Sequence, residues 1–317
     1  MTPTTSQVHY DQILGNISIL YKNGDYIGDK IAPVIPVTFR SDHYYVFSKA
    51  DEFRDTAQYR APGTSSNRDG FGLSTDSYEC KEIAQATRLE DETRANADAV
   101  LRIEAAKTRF VTNKIALKNE VLLETLYMTT TNWDNSATPS VLWDDYDDSQ
   151  PITDFETAID AVESGNGLSC NTFVLAKNVW KKLKHHPQLI GRLSNDTTRI
   201  LSLDDLRRLF DIEYIHIGKA SKNTAQIGQT ASYSAIWSKD VWVGYINQNP
   251  GLEEVSASYT YSWDYTNSPG GEPQGAVRGV RRWRDENIHS DIIEAYQSFD
   301  HKITASDLGY VIEGAIT

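Results

Sequence analysis

The sequence predicts an α+β chain made of an extended hairpin, one long helix and an α/β unit, and three patterns lead there. Odd positions from Val37 to Phe47 alternate with polar ones at strand period. Asp91 to Met128 contains neither Gly nor Pro and repeats its apolar residues at helical spacing. From about residue 150 to 246, short helical and strand-like patterns alternate, the signature of α/β organisation.

Residues 1–36 carry Gly15, Gly24, Gly28, Pro33 and Pro36 between short apolar groups, so an extended arm with little helix is expected there. Such an arm has no core of its own and must lie against something else. Val37, Phe39, His43, Tyr45 and Phe47 then read as a strand, with a return strand at Tyr78 to Thr87. Between them, Ala61 to Gly72 is turn chemistry throughout. Two arms of about 20 residues would reach ~65 Å, too long for a compact domain, and a hairpin of that reach is expected to pack on another chain.

The helix Asp91 to Met128 places Val100, Ile103, Ala106, Phe110, Leu117 and Val121 on one face and would span ~55 Å. Its other faces mix Glu104, Lys107, Arg109, Lys114, Lys118 and Glu120, which reads as a solvated surface. Further on, Thr153 with Glu156 predicts a capping box opening a helix from Asp154 to Glu163, ended by Gly165-Asn166-Gly167. Thr172 to Leu175 reads as a buried strand, and a helix from Asn178 should stop at Pro187. Ser202 and Asp205 open another helix through Phe210, Ile212 to Ile217 alternates as a strand, and Ala235 to Ile246 supplies two strands broken at Lys239-Asp240. Past Pro250-Gly251, Val255, Ala257, Tyr259, Tyr261, Trp263 and Tyr265 alternate with small polar residues in a clean strand pattern. After a loop from Thr266 to Gly275, a strand-rich segment from Arg278 to Ile312 is expected to pair back with the part that contains the long helix.

Composition narrows the function. Forty-four acidic against 31 basic side chains leave a net charge of -13, which argues against a nonspecific DNA binder whose affinity comes from Lys and Arg. No apolar run is long enough to span a bilayer, and the N-terminus lacks the pattern of a signal peptide. Cys80 and Cys170 are too few and too far apart for a disulfide framework or a thiolate zinc site. From Asn119 to Ala176 there is no Lys or Arg but there are 11 acids, and all seven tryptophans follow Asn132, so the two halves of the chain differ chemically.

In this order the residues resemble the major capsid proteins of tailed bacteriophages, the family with the Hong Kong 97-type fold. The resemblance is carried by Trp143-x-Asp145-Tyr146, Pro151-x-x-Asp154-x-x-x-Ala158, Asn171-Thr172, Val179-Trp180, Leu183, His186-Pro187, Leu203 to Phe210, Trp237 and Pro250-Gly251. Asp91-Glu92-x-x-Ala95-Asn96-Ala97 is similar to the family's link into its spine helix. The resemblance implies an N-terminal arm at 1–36, an extended loop (E-loop) at 37–88 and a peripheral domain with the spine helix at 89–140. It further implies an α/β axial domain at 141–254 and a return to the peripheral sheet at 255–317.

As function it implies a structural, non-enzymatic subunit of the virion. Pentamers and hexamers of such a subunit, assembled in the host cytoplasm, close into an icosahedral shell around double-stranded DNA held without sequence specificity. Implied partners are further copies of the chain, a scaffolding protein, a portal at one vertex and, in some members, a decoration protein; no cofactor and no membrane are implied. Because about 36 residues precede the loop, a separate scaffolding protein is expected. Some members crosslink subunits through a loop Lys and an Asn; here Lys49 and Lys81 are the only lysines between Arg40 and Arg88 and neither is at the tip, so no crosslink is expected. An encapsulin-like compartment is the alternative of the same fold, and a carbohydrate-binding or hydrolase module is the alternative of another class.

Asp144, Asp145, Asp147 and Asp148 are weak candidates for a divalent cation site, read here as a solvated acidic loop because the Gly and closing Glu of an EF-hand are missing. Adjacent His185 and His186 point about 100° apart on a helix and are read as capping its C-terminus before Pro187. No nucleophile elbow, HExxH, P-loop or dinucleotide fingerprint occurs, so no catalytic residue is assigned. Candidates for contacts between subunits are Arg40, Arg54, Arg60, Arg68 and Phe71 in the hairpin. Arg278, Arg281, Arg282 and Arg284 around Trp283 are a further set, with DNA phosphates as their alternative partner.

Overall fold

A computed structural model describes residues 23–24, 26–97, 102–193, 200–251, 254–263 and 279–317. Most of the expected arm, Val100, Tyr265, the loop from Thr266 and Arg278 lie outside these residues. The described chain begins with a helical turn, α1 (Gly28–Ile31), then β1 (Val34–Val37), β2 (Ser41–Phe47), the turn α2 (Lys49–Glu52), β3 (Leu73–Glu79), β4 (Lys81–Glu90) and α3 (Asp91–Ala95). The long helix α4 (Ile103–Met128) and β5 (Asn135–Ala137) lead into α5 (Pro151–Glu163), β6 (Thr172–Ala176), α6 (Lys177–Leu183), α7 (Pro187–Leu193), α8 (Leu203–Phe210) and β7 (Tyr214–Gly218). The remaining strands are β8 (Ser221–Asn223), β9 (Tyr233–Ala235), β10 (Val241–Gly244), β11 (Ser258–Trp263), β12 (Gly279–Asp285), β13 (Ser290–Ile303) and β14 (Gly309–Ile312).

Two five-stranded sheets organise these elements. In the first, the order is β1-β11-β13-β12, with β4 along the other side of the long β13; only β1 and β11 run parallel. The second has the order β5-β14-β10-β6-β7, with parallel pairs at both ends. Strand β14 therefore belongs to the second sheet and does not pair back beside α4, which corrects the expectation for the end of the chain. The second sheet reads as continuous apolar runs because helices and loops cover it: Thr172 to Ala176 and Val241 to Gly244 are buried at every position. Gly309 lies so close to Trp133 that a Cβ there would meet the indole at 2.3 Å, which makes the smallest residue a packing requirement at the start of β14.

Strand β11 shows why its alternation is so regular. Its large odd residues, Tyr259 and Tyr261, and its small even ones, Ser258, Thr260 and Ser262, are all buried. On the odd face Tyr261 stacks on Tyr78, with centroids 4.6 Å apart. On the even face Ser258 meets the Tyr127 hydroxyl of α4, which also donates to Ile31 O at 2.5 Å. Thr260 meets His301 Nδ1 at 2.8 Å while His301 Nε2 meets Asn119 Oδ1 at 2.6 Å. The neutral imidazole satisfies both contacts, donating from Nε2 and accepting at Nδ1, and burial pushes its pKa down to about 3.

The helix differs from expectation in extent and facing. The predicted rod from Asp91 is a five-residue turn and then a 26-residue helix, ~39 Å long, that starts after Arg102 in the left-handed region at φ 40°. Its buried face is Lys107, Val111, Ile115, Ala116, Asn119, Glu120, Leu123 and Tyr127, whereas Phe110 is exposed. The predicted stripe fails because this helix presents polar side chains to buried polar partners. Lys107 Nζ bonds Arg88 O, and Glu120 is 1% exposed. Glu120 Oε2 accepts from Gly28 N at 2.9 Å, Oε1 accepts from Trp237 Nε1 at 2.7 Å, and Ile27 N is shared between both oxygens. Burial pushes its carboxyl up, against the opposing effect of these N–H donors.

Smaller corrections follow the same logic. The helix predicted from Asp154 starts at Pro151, where a missing N–H costs nothing, and Gln150 precedes it without a side-chain cap. Pro187 opens α7 and does not merely end α6. The reciprocal bonds between Ser202 and Asp205 at the start of α8 agree with expectation.

Glu120→Ala strands two backbone N–H groups and an indole N–H in the interior, so a loss of about 3 kcal/mol or more is expected in chemical denaturation, with a smaller loss for Glu120→Gln, which keeps an acceptor. His301 binds a proton far less readily when folded than at its ordinary value near 6.5. Its contribution is thus complete above that value and is lost as pH falls toward about 3. Scanning calorimetry from pH 7 to 4 should show a falling Tm, with a shallower fall in His301→Asn.

Candidate assembly surfaces

The hairpin β2/β3 pairs Phe47 with Leu73, Tyr45 with Thr75 and Tyr44 with Asp76. Opposed residues share a face, so Tyr45, Phe47 and Leu73 lie on one side and Tyr44, Val46 and Tyr78 on the other. The even side is anchored: Tyr44 and Tyr78 both stack on Tyr261, and the Tyr44 hydroxyl donates to Asp76 at 2.7 Å. The odd side faces solvent, with Tyr45 69% exposed and Phe47, also exposed, lying 5.8 Å from the exposed Phe71 ring. Phe39, Phe53, Tyr59 and Leu73 are exposed as well, so most of the hairpin's apolar surface is left uncovered within one chain. Unpartnered apolar surface on this scale marks a contact with another macromolecule.

The expected return strand at Tyr78 to Thr87 is divided. β3 pairs with β2 over seven residues, and the chain breaks at buried Cys80, whose N–H donates to Arg40 O at 2.8 Å. Strand β4 then pairs with β13 and is part of the first sheet, so the ~65 Å of paired arms is not present. The long connection from Ser48 to Gly72 is closed by its own bonds, among them Asn67 Nδ2 to Thr56 O at 2.9 Å and Gly72 N to Asp51 Oδ2 at 2.9 Å. Arg40 donates to Cys80 O at 3.2 Å, Arg54 pairs with Asp51 at 3.3 Å, Arg60 donates to Thr64 O at 3.2 Å, and Arg68 is exposed beside them.

Of the arginines around Trp283, Arg281, Arg282 and Arg284 sit on β12 and are engaged inside the chain. Arg281 Nε meets Glu294 at 2.5 Å and its guanidinium lies over the Tyr296 ring. Arg284 holds Asp91 with two bonds of 2.6 Å, and Arg282 reaches Glu104 at 3.3 Å and Asp291. Arg94 joins from α3, bonding Asp291 and meeting Glu104 at 3.2 Å. The arginines Arg282 and Arg94 hold the Asp291 carboxyl down at about 2. Four arginines thus face six carboxylates (Glu82, Asp91, Glu104, Glu286, Asp291 and Glu294), and the cluster offers phosphates no net positive patch. Val280 and Trp283 remain exposed between these pairs.

The aspartates 144–148 do not converge. Asp144 Oδ2 accepts the Thr317 hydroxyl at 2.5 Å, which holds its carboxyl low, and Asp145 Oδ1 accepts Asp147 N at 3.2 Å. Among the described residues no group of three His, Cys, Asp or Glu side chains is arranged to hold a metal. His185 is exposed, whereas His186 is buried, a correction to the capping role read from the sequence. His186 Nδ1 accepts from Gln188 N at 3.2 Å at the start of α7, and Nε2 meets Ser149 Oγ at 2.8 Å. Burial holds this imidazole neutral, so it is no cation for a helix end.

No family model matches the chain. It is 24% identical over 316 residues to the major capsid protein of Burkholderia phage BcepMu, covering 96% of both chains. A crystal structure of a phage-related protein from Bordetella bronchiseptica RB50 superposes with a TM-score of 0.70 at 27% identity, covering 93% of each chain. The capsid protein of cyanophage P-SCSP1u shares the fold at TM-score 0.59 and 11% identity, covering 96% of this chain and 92% of that one. Over nearly its whole length the chain is similar to phage major capsid proteins, structural components of the virion, and it shares the fold of phage capsids. The compartment and carbohydrate-module alternatives are not favoured by these relatives. No helix among the described residues is long and apolar enough to cross a membrane.

Asp291 releases its proton more readily when folded than at its ordinary value near 3.8, so the network's contribution is present above that value and is lost as pH falls toward about 2. Asp291→Asn should therefore lower the unfolding temperature at pH 7 and make little difference near pH 2.

Proposed function

We propose that copies of this chain form pentamers and hexamers that close into an icosahedral shell around double-stranded phage DNA. The uncovered aromatic side of the hairpin carries this reading. A monomer leaves Tyr45, Phe47, Phe71 and Leu73 in water, and an adjoining copy would remove that apolar area at roughly 25 cal/mol per Å². In a ring of identical copies the hairpin of each lies on a different surface of the next, the heterologous contact that generates closed rings.

The domain assignment read from the sequence accompanies this proposal, with 37–88 as the extended loop, 89–140 and 255–317 as the peripheral part and 141–254 as the axial part, except that β4 belongs to the first sheet and β5 and β14 to the second. Arg40, Arg54, Arg60, Arg68 and Phe71 are proposed to reach the neighbouring copy. Arg281, Arg282 and Arg284 contribute by shaping the edge on which Val280 and Trp283 stand. A scaffolding protein, a portal and, where one exists, a decoration protein are the remaining proposed partners. Packaged DNA is held without sequence readout, which suits a chain of net charge -13. The subunit's role is structural, and no reaction is assigned to it.

Electron microscopy with light scattering, on protein expressed alone and with its genomic neighbours, should show closed shells or capsomers; a small monodisperse oligomer under every condition would overturn the proposal. Tyr45→Ser with Phe47→Ser is expected to abolish shells while leaving the subunit's unfolding transition in place, and Arg60→Ala with Arg68→Ala to weaken them.

A further inference from the structure

Among the described residues, beyond its base, where Tyr44 and Tyr78 stack on Tyr261 and Glu79 N donates to Asp300 Oδ2 at 3.0 Å, the hairpin is also tied to the rest of its own subunit through Lys49. Lys49, in the first turn after β2, directs Nζ to Asn166 Oδ1 and to Asp307 Oδ2, the latter at 2.5 Å. The receiving pair is prepared for it. Asn166 is 7% exposed, and its Nδ2 donates to Val162 O at 2.6 Å and to Asp307 O at 3.2 Å. Gly165 and Gly167 on either side adopt φ of +80° and +65°, turning the chain so that the Asn carboxamide caps the end of α5. Asp307 sits in the turn that carries the chain from β13 in the first sheet to β14 in the second. Lys49 therefore fastens a hairpin rooted on the first sheet to the junction of both.

The two ends of this attachment differ in kind. At the base, Tyr44 and Tyr78 are stacked on Tyr261 in an apolar cluster with Cys80, an attachment that salt does not screen. Roughly 17 Å beyond Tyr44, at ~3.3 Å per residue, the Lys49 contact is an ion pair whose side chains are 44% and 30% exposed. Such a pair adds little to stability and is screened by salt. Among the described residues, the hydrogen bonds and ion pairs of residues 53–72 all stay within the hairpin.

We propose that Lys49, Asn166 and Asp307 form a releasable clasp that holds the outer half of the hairpin against its own subunit until an adjoining copy takes over its aromatic side. This rests on the shell-forming reading, which supplies the adjoining copy. While closed, the clasp fixes the direction of the Tyr45 and Phe47 side; once open, the hairpin pivots on its Tyr261 stack.

Hydrogen–deuterium exchange on unassembled subunits tests the clasp without requiring shells. In Lys49→Met and Asp307→Asn, amides of residues 46–48 and 72–74 are expected to exchange several-fold faster, with β4 amides unchanged. Raising the ionic strength should bring the unsubstituted protein to the variants' rate and leave the variants where they are. Equal rates in all three proteins, or rates indifferent to salt only in the unsubstituted one, would overturn the clasp. So would an intact mass lower by one ammonia, since a Lys49–Asn166 amide bond would be permanent. Light-scattering assembly assays then test release: Lys49→Met should begin to form shells at lower protein concentration, and an unchanged or higher threshold would overturn that role. If no protein, substituted or not, forms shells while exchange still responds as expected, the clasp stands and the shell-forming reading is what fails.

Discussion

Glu120 is the constraint on which the other contacts of the subunit depend. Its carboxylate lies under the arm, inside the long helix and beside Trp237 of the second sheet's surroundings, and it is met by N–H donors from two of those three places. A carboxylate in such a position loses its water and needs several donors in return. The donors come from residues 27, 28 and 237, which are distant from it in sequence, so the group is satisfied only when arm, helix and second sheet are all in place. It thereby converts three separate pieces into one unit, and it sets the start of α1 by taking up the N–H groups that a helix begins with unpaired.

From that centre outward the attachments become steadily more polar and more exposed. The C-terminal half of α4, with Leu123 and Tyr127, belongs to the large core shared with the second sheet. The N-terminal half rests on a cluster of only four buried residues, Val111, Ile115, Ile293 and Ala295. At the start of the helix, Glu104 is bound by Arg94 and Arg282 at the surface. Apolar burial at roughly 1.5–3 kcal/mol per large side chain outweighs surface ion pairs of about 0–1 kcal/mol, so the helix is firmest where it meets Trp133 and Trp242 and loosest near Arg102.

The elements that were legible in the sequence are those whose local chemistry agrees with their tertiary setting. The Ser202 and Asp205 cap and the alternation of β11 are of this kind, whereas the first of the two strands expected from Ala235 ends at that residue. The face of α4 was not legible, because Asn119 and Glu120 are interior only by virtue of His301, Ile27 and Trp237, partners that no spacing along the helix reveals. The same holds for the hairpin. Its period of two separates Tyr45 and Phe47 from Tyr44 and Val46, but which side meets Tyr261 is decided by a strand more than two hundred residues later. Phe71 and the loop arginines stood out as candidates for contacts between subunits, whereas Tyr45 read as an ordinary strand residue and Leu73 fell outside every expected element.

The β12 arginines show how a composition signal changes meaning once its neighbours are placed. Four basic residues around a tryptophan suggest affinity for phosphate when read along the chain. In the fold, antiparallel pairing sets Arg281 opposite Glu294, Arg282 opposite Ile293 and Arg284 opposite Asp291, while α3 and α4 bring Asp91 and Glu104 alongside. The positive charge is consumed in holding the first sheet to the start of the long helix. What this edge then offers a neighbour is the apolar surface of Val280 and Trp283 between neutralised arginines, the kind of surface that suits contact with another protein better than contact with a polyanion.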